Sequence, residues 1–175
     1  WSTIGSHSKN GCSAVVEAGN GMVVSAGWDS TVRCWDVRSG ATNGDHVLNL
    51  PGKAFSMDAV GNTIVVATSG RRLCIYDCRQ MGQPISLIQE RESSLKYQMR
   101  TVRLFPDGIG MAIGSIEGRV AIEYVDEHVA STLGRKKYAF KCHRIGETIY
   151  PVNSIAFHPT FGTFATGGCD GSVIV

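Results

Sequence analysis

The chain has 175 residues, 43% of them hydrophobic and only 18% charged, which suits a globular protein with a sizeable core and argues against a disordered or fibrous one. A formal net charge of +2 is too small to imply nucleic-acid or membrane binding by bulk attraction, so any electrostatic role must come from local clustering. The 21 glycines point to short strands joined by tight turns that need unusual backbone dihedrals.

Taken in chain order, the strand signals repeat. A first strand is expected at Ser13 to Ala18, followed by a paired run, Val23 to Asp36, that turns on Gly27-Trp28-Asp29-Ser30. A fourth strand follows at His46 to Leu50. The pattern recurs at Ala54 to Val60, Val65 to Asp77 and Ile85 to Gln89, and again at Arg100 to Phe105, Met111 to Tyr124 and Lys137 to Cys142. A last round opens at Val152 to Phe157 and runs through Phe164 to Val175. Trp35, Tyr76 and Tyr124 are 41 and 48 residues apart. A four-stranded propeller blade takes about 40 to 45 residues. The expected fold is all-β, a β-propeller segment of one domain over 1–175, with blades at 11–50, 53–91, 97–142 and an incomplete 150–175. Four open blades cannot close on themselves, so the chain is expected to be part of a larger propeller. The stretch from Asp126 to Arg135 is irregular and is expected to be loop.

Cys12, Cys34, Cys74, Cys78, Cys142 and Cys169 are scattered, several within apolar alternations, and are expected to be reduced thiols rather than a disulfide framework. With no glycosylation acceptor, spanning apolar run or signal-peptide pattern, the expected setting is soluble, cytosolic or nuclear. No catalytic set, cofactor or metal is expected. Gly108-Ile109-Gly110-Met111-Ala112-Ile113-Gly114 has the wrong spacing for a dinucleotide loop and leads into a strand. Cys142-His143 lacks a second ligand pair.

In an antiparallel blade the start of the first strand, the turn between the second and third, and the end of the fourth emerge at one end. For the third blade that end receives Lys96, Arg100, Glu117, Arg119, Lys141, His143 and Arg144, with Arg71 and Arg72 expected from the neighbouring turn. Such a cluster suits carboxylates or phosphates, because a guanidinium grips them with two parallel hydrogen bonds. A solvated basic rim with intrablade pairs would use the same residues.

The first repeat resembles the WD-repeat family through His7 in Gly5-Ser6-His7, Ser25, Asp29 and Trp35, and the resemblance implies that these four form a blade-fixing network. His143, Thr166 and Asp170 match it in the fourth repeat. Within that family, the blocks Arg91 to Arg100, Ser115 to Tyr124, Lys136 to Arg144 and Ile149 to Asn153 resemble the WD-repeat kinetochore adaptors of the spindle-assembly checkpoint, of the Bub-three type. The resemblance implies a seven-bladed propeller and a non-catalytic scaffold that binds the GLEBS motif of checkpoint kinases or pseudokinases through Arg100 and Arg119. It also implies binding of a phosphorylated motif of the kinetochore scaffold through Arg119 and Lys141. Trp28, Arg71, Arg72, Lys96, Tyr97 and Arg144 are expected rim contacts. Ubiquitin-bound or anaphase-promoting complexes would be reached through those kinases, with no membrane or nucleic-acid partner. The expected location is the nucleus, the kinetochore in mitosis, and also the cytoplasm. An mRNA-export propeller that binds a nucleoporin shares the Leu95-Lys96-Tyr97-Gln98, Ser115 to Arg119 and Phe140 to Arg144 blocks and implies the alternative function.

Overall fold

Residues 3–7, 10–18, 21–36, 46–79 and 85–175 are described by a computed structural model. The first sheet is an antiparallel meander of β1 (Cys12–Ala18), β2 (Met22–Gly27), β3 (Thr31–Trp35) and β4 (His46–Asn49). The second repeats it with β5 (Ala54–Val60), β6 (Thr63–Thr68), β7 (Arg72–Asp77) and β8 (Ser86–Glu92). The third runs through β9 (Met99–Leu104), β10 (Gly110–Ser115), β11 (Arg119–Tyr124) and β12 (Tyr138–Lys141), with helix α1 (Glu127–Thr132) between its last two strands. A short hairpin, β13 (Arg144–Ile145) and β14 (Thr148–Ile149), precedes a three-stranded sheet of β15 (Val152–Phe157), β16 (Phe164–Gly168) and β17 (Val173–Ile174). The described residues thus form four propeller blades, the last with three strands.

The middle strands read as continuous apolar runs because both of their faces are covered. β6, β10 and β11 are buried along almost their whole lengths, whereas the outer strands β4, β8 and β12 are largely exposed. The chain divides into two compact units, 1–92 and 93–175, each holding two blades. The first unit packs Val24, Ala26 and Val32 with Met57, Ile64, Val66 and Tyr76. The second packs Ala112, Val120 and Ile122 with Val152 and Ile155. Phe105, Phe157 and Phe164 extend this second core, with ring centroids 4.9 and 5.1 Å apart in succession.

Two features differ from the expected layout. The stretch expected to be irregular contains α1, started by the Asp126 carboxylate, which accepts from the backbone N–H groups of His128 at 2.8 Å and Val129 at 3.2 Å. The hairpin β13–β14 was not anticipated, since Ile145-Gly146-Glu147-Thr148 is too short to read as a strand pair from its alternation.

A register shift recurs in the first strand of every blade. It falls between Cys12 and Ala14 in β1, between Ala54 and Ser56 in β5, and between Val152 and Ser154 in β15. In β9, Met99 and Thr101 pair with the consecutive residues Ser115 and Gly114. Each first strand therefore carries one extra residue, a β-bulge that re-aims its side chain. Those residues are Ser13, Phe55, Arg100 and Asn153.

Candidate functional site

In the first blade, His7 Nδ1 lies 3.0 Å from Asp29 Oδ1 and His7 Nε2 lies 2.8 Å from Ser25 Oγ. A carboxylate only accepts, so Nδ1 carries the hydrogen, Nε2 accepts from the Ser25 hydroxyl, and the Ser25 oxygen accepts the Trp35 indole N–H at 2.7 Å. Burial pushes the Asp29 carboxyl up, but hydrogen bonds from His7 and Thr31 outweigh it and hold the group below the usual carboxylate range. In the fourth blade, His143 donates from Nδ1 to Asp170 Oδ1 at 2.9 Å, and Nε2 accepts from the Thr166 hydroxyl at 2.9 Å. Asp170 is likewise lowered: burial raises it, and hydrogen bonds from Ser172 and His143 prevail. The β16 backbone runs directly beneath this ring, since a Cβ on Gly168 would lie 2.3 Å from His143 Nδ1.

The third blade uses a different lock. Glu123 is buried on β11, and its Oε1 accepts from Ser93 Oγ at 2.9 Å, Ser94 N at 2.8 Å and Ser94 Oγ at 2.9 Å. The signal for it was a single carboxylate inside the apolar run Val120 to Tyr124.

At the end of the third blade where β10 turns into β11, the expected cations are set by the strands. Arg119 opens β11 and sits directly opposite Lys141, the last residue of β12. Opposed side chains on an antiparallel pair are about 4.5–5.5 Å apart at Cβ, and like charges there repel. Arg119 Nε lies 3.6 Å from Glu117 Oε2, while Lys141 has no ion pair among the described residues. Gly118 holds the turn with φ +61, and a Cβ there would lie 2.7 Å from the Cys142 carbonyl oxygen. Arg100 projects from its bulge and donates from Nε to Asn153 Oδ1 at 2.6 Å. Its terminal nitrogens make no hydrogen bond among the described residues.

The other expected contacts divide into three groups. Lys96 and Tyr97 are exposed just before β9. Arg144 is half-buried and donates to the carbonyls of Glu117 at 2.8 Å and Gly118 at 3.4 Å, so it braces the turn from behind. In the first unit, Trp28 is 51% exposed at its turn, Arg71 is ion-paired with Glu92, and Arg72 is paired with Glu90 at 2.6 Å. Among the described residues, no group of His, Cys, Asp and Glu could hold a metal ion, and no helix is long and apolar enough to cross a membrane.

The blade meanders and their buried histidine locks define a WD-repeat propeller. The WD domain, G-beta repeat family matches residues 2–36 and 134–175. The chain is 53% identical over 161 residues to mitotic checkpoint protein BUB3.1 of Arabidopsis thaliana, covering 87% of this chain and 46% of that protein. It is 46% identical to mitotic checkpoint protein bub-3 of Caenorhabditis elegans, covering 87% of this chain and 45% of that one. With the poly(A)+ RNA export protein of Schizosaccharomyces pombe it shares 39% identity over 92% of this chain and 45% of the relative. A chain in a crystal structure of the mitotic checkpoint complex superposes with a TM-score of 0.71 at 14% identity, covering 93% of this chain and 48% of the other, which shows the shared fold. The chain carries WD repeats and matches Bub3-type mitotic checkpoint proteins over most of its length, and it spans about half the length of the curated relatives it matches.

Proposed function

We propose that the chain contributes to a non-catalytic scaffold of the spindle-assembly checkpoint and that the Arg100, Arg119 and Lys141 end of its third blade takes an acidic or phosphorylated peptide. The observation that carries this reading is the cross-strand register of Arg119 with Lys141. Two cations held opposite one another, one with no carboxylate of its own, are stabilised by an anion between them. Arg100 adds a guanidinium whose terminal nitrogens are unused among the described residues. In this reading Arg100 and Arg119 grip the glutamates of a GLEBS-type motif, Arg119 and Lys141 face a phosphothreonine of the kinetochore scaffold, and Lys96 and Tyr97 flank the peptide. In the first unit, Arg71 and Arg72 already hold Glu92 and Glu90, so an anion would meet a competing carboxylate there.

Titration with an acidic GLEBS-type peptide tests the assignment. Arg119→Glu or Arg100→Glu should weaken binding by about 2–5 kcal/mol, the usual cost of leaving one partner of a desolvated charge pair unmatched. Unchanged affinity in both variants would remove the site from the proposal. The similarity to the RNA export protein supports a second reading, a nucleoporin-binding export adaptor. A salt-dependent RNA complex that a GLEBS peptide cannot displace would favour it.

A further inference from the structure

We propose that Asn153 is a positioning residue that presets Arg100 for a carboxylate, an inference that rests on the peptide-binding reading of Arg100. Both side chains leave the backbone at the β-bulge of their blade's first strand, Arg100 on β9 and Asn153 on β15, within the second unit. The bulges turn them toward each other, and Arg100 Nε donates to Asn153 Oδ1 at 2.6 Å. The amide is fixed from its other end too, since Nδ2 donates to Cys169 Sγ at 3.0 Å on the neighbouring turn. A guanidinium only donates, so Arg100 itself demands the oxygen-inward orientation of the amide. One nitrogen of Arg100 is thereby spent on a neutral acceptor, which leaves the charge intact and the terminal fork free for a carboxylate. A side chain with several free torsions would otherwise be ordered only when the peptide arrives, at the expense of affinity.

The test is a double-mutant cycle on the full chain with the same acidic peptide, combined with NMR of arginine Nε–H exchange in the free protein. Asn153→Ala should weaken binding about three- to tenfold, the range expected for immobilising one long side chain. In an Arg100→Ala background it should do nothing further. In the free protein it should speed exchange of the Arg100 Nε–H and leave that of Arg103, which donates to the Ile155 carbonyl at 3.3 Å, unchanged. Asn153→Asp should weaken the peptide more than Asn153→Ala, because its carboxylate competes for the guanidinium. Equal losses from Asn153→Ala with and without Arg100, or unaltered Arg100 Nε–H exchange, would overturn the positioning role. If Arg100→Ala leaves peptide affinity intact, it is the peptide-site reading that fails, and the exchange measurement still decides whether Asn153 holds Arg100.

Discussion

Glu117 competes with any incoming anion for Arg119, because its carboxylate lies 3.6 Å from the guanidinium while both side chains remain partly open to solvent. A screened pair of this kind is worth about 0.2–1 kcal/mol. Glu117→Gln is therefore expected to raise affinity for an acidic peptide about 1.5- to 5-fold, read by the same titration, with a larger gain at low salt. The cations at this end were legible from the sequence because strand direction alone decides which residues emerge together. Their division of labour was not. Arg144 looked like a rim cation, yet its partners are two backbone carbonyls more than 25 residues upstream, and no local pattern encodes such a pairing. The pairing of Asn153 with Arg100 gave no sign, since a bulge in a strand without glycine leaves no mark in the alternation.

The blade locks govern the behaviour of the individual sheets. Gly168→Ala would drive a methyl group into the His143 ring and should cost about 1–3 kcal/mol, the usual penalty for overfilling a packed site, seen as a lower denaturation midpoint. The same lock makes stability depend on acid. Asp29 and Asp170 titrate lower in the folded chain than at their ordinary value of 3.8, so the unfolded chain binds the proton first. Their contribution is complete above that ordinary value, begins to fall as the pH drops toward it, and is lost once the pH passes below the lowered folded-state values. Urea midpoints measured from pH 6 downward should show this loss, and Asp29→Asn should flatten it. At this scale the sequence spoke clearly wherever histidine, a small hydroxyl residue and aspartate recur at blade spacing. The third blade departs because Glu123 and two serines replace that set, and what betrays the substitution is burial, which a one-dimensional pattern does not display.

Across the whole chain, the described thiols separate sharply by environment. Burial pushes Cys34 up to about 12, with Cys78 nearby adding to it, and burial likewise holds Cys74 and Cys78 at about 11. Cys12 and Cys169 are exposed, and all six cysteines are free. A thiol reagent at pH 8 should modify Cys12 and Cys169 in the native protein, and modify Cys34, Cys74 and Cys78 only as the first unit opens; mass-mapped labelling against denaturant would read this directly. One feature has its effect beyond any single sheet. His143 leaves the polypeptide just after β12, the outer strand of the third blade, yet its ring fastens β16 and the following turn in the fourth. The fourth blade is held as a roof tile is, pinned by a tab from its predecessor. Under a pulling force at the C-terminal end, the fourth blade cannot slide away intact; it must first tear free of a ring that its predecessor keeps in place. Rupture should accordingly come as one large event spanning both blades rather than two small ones.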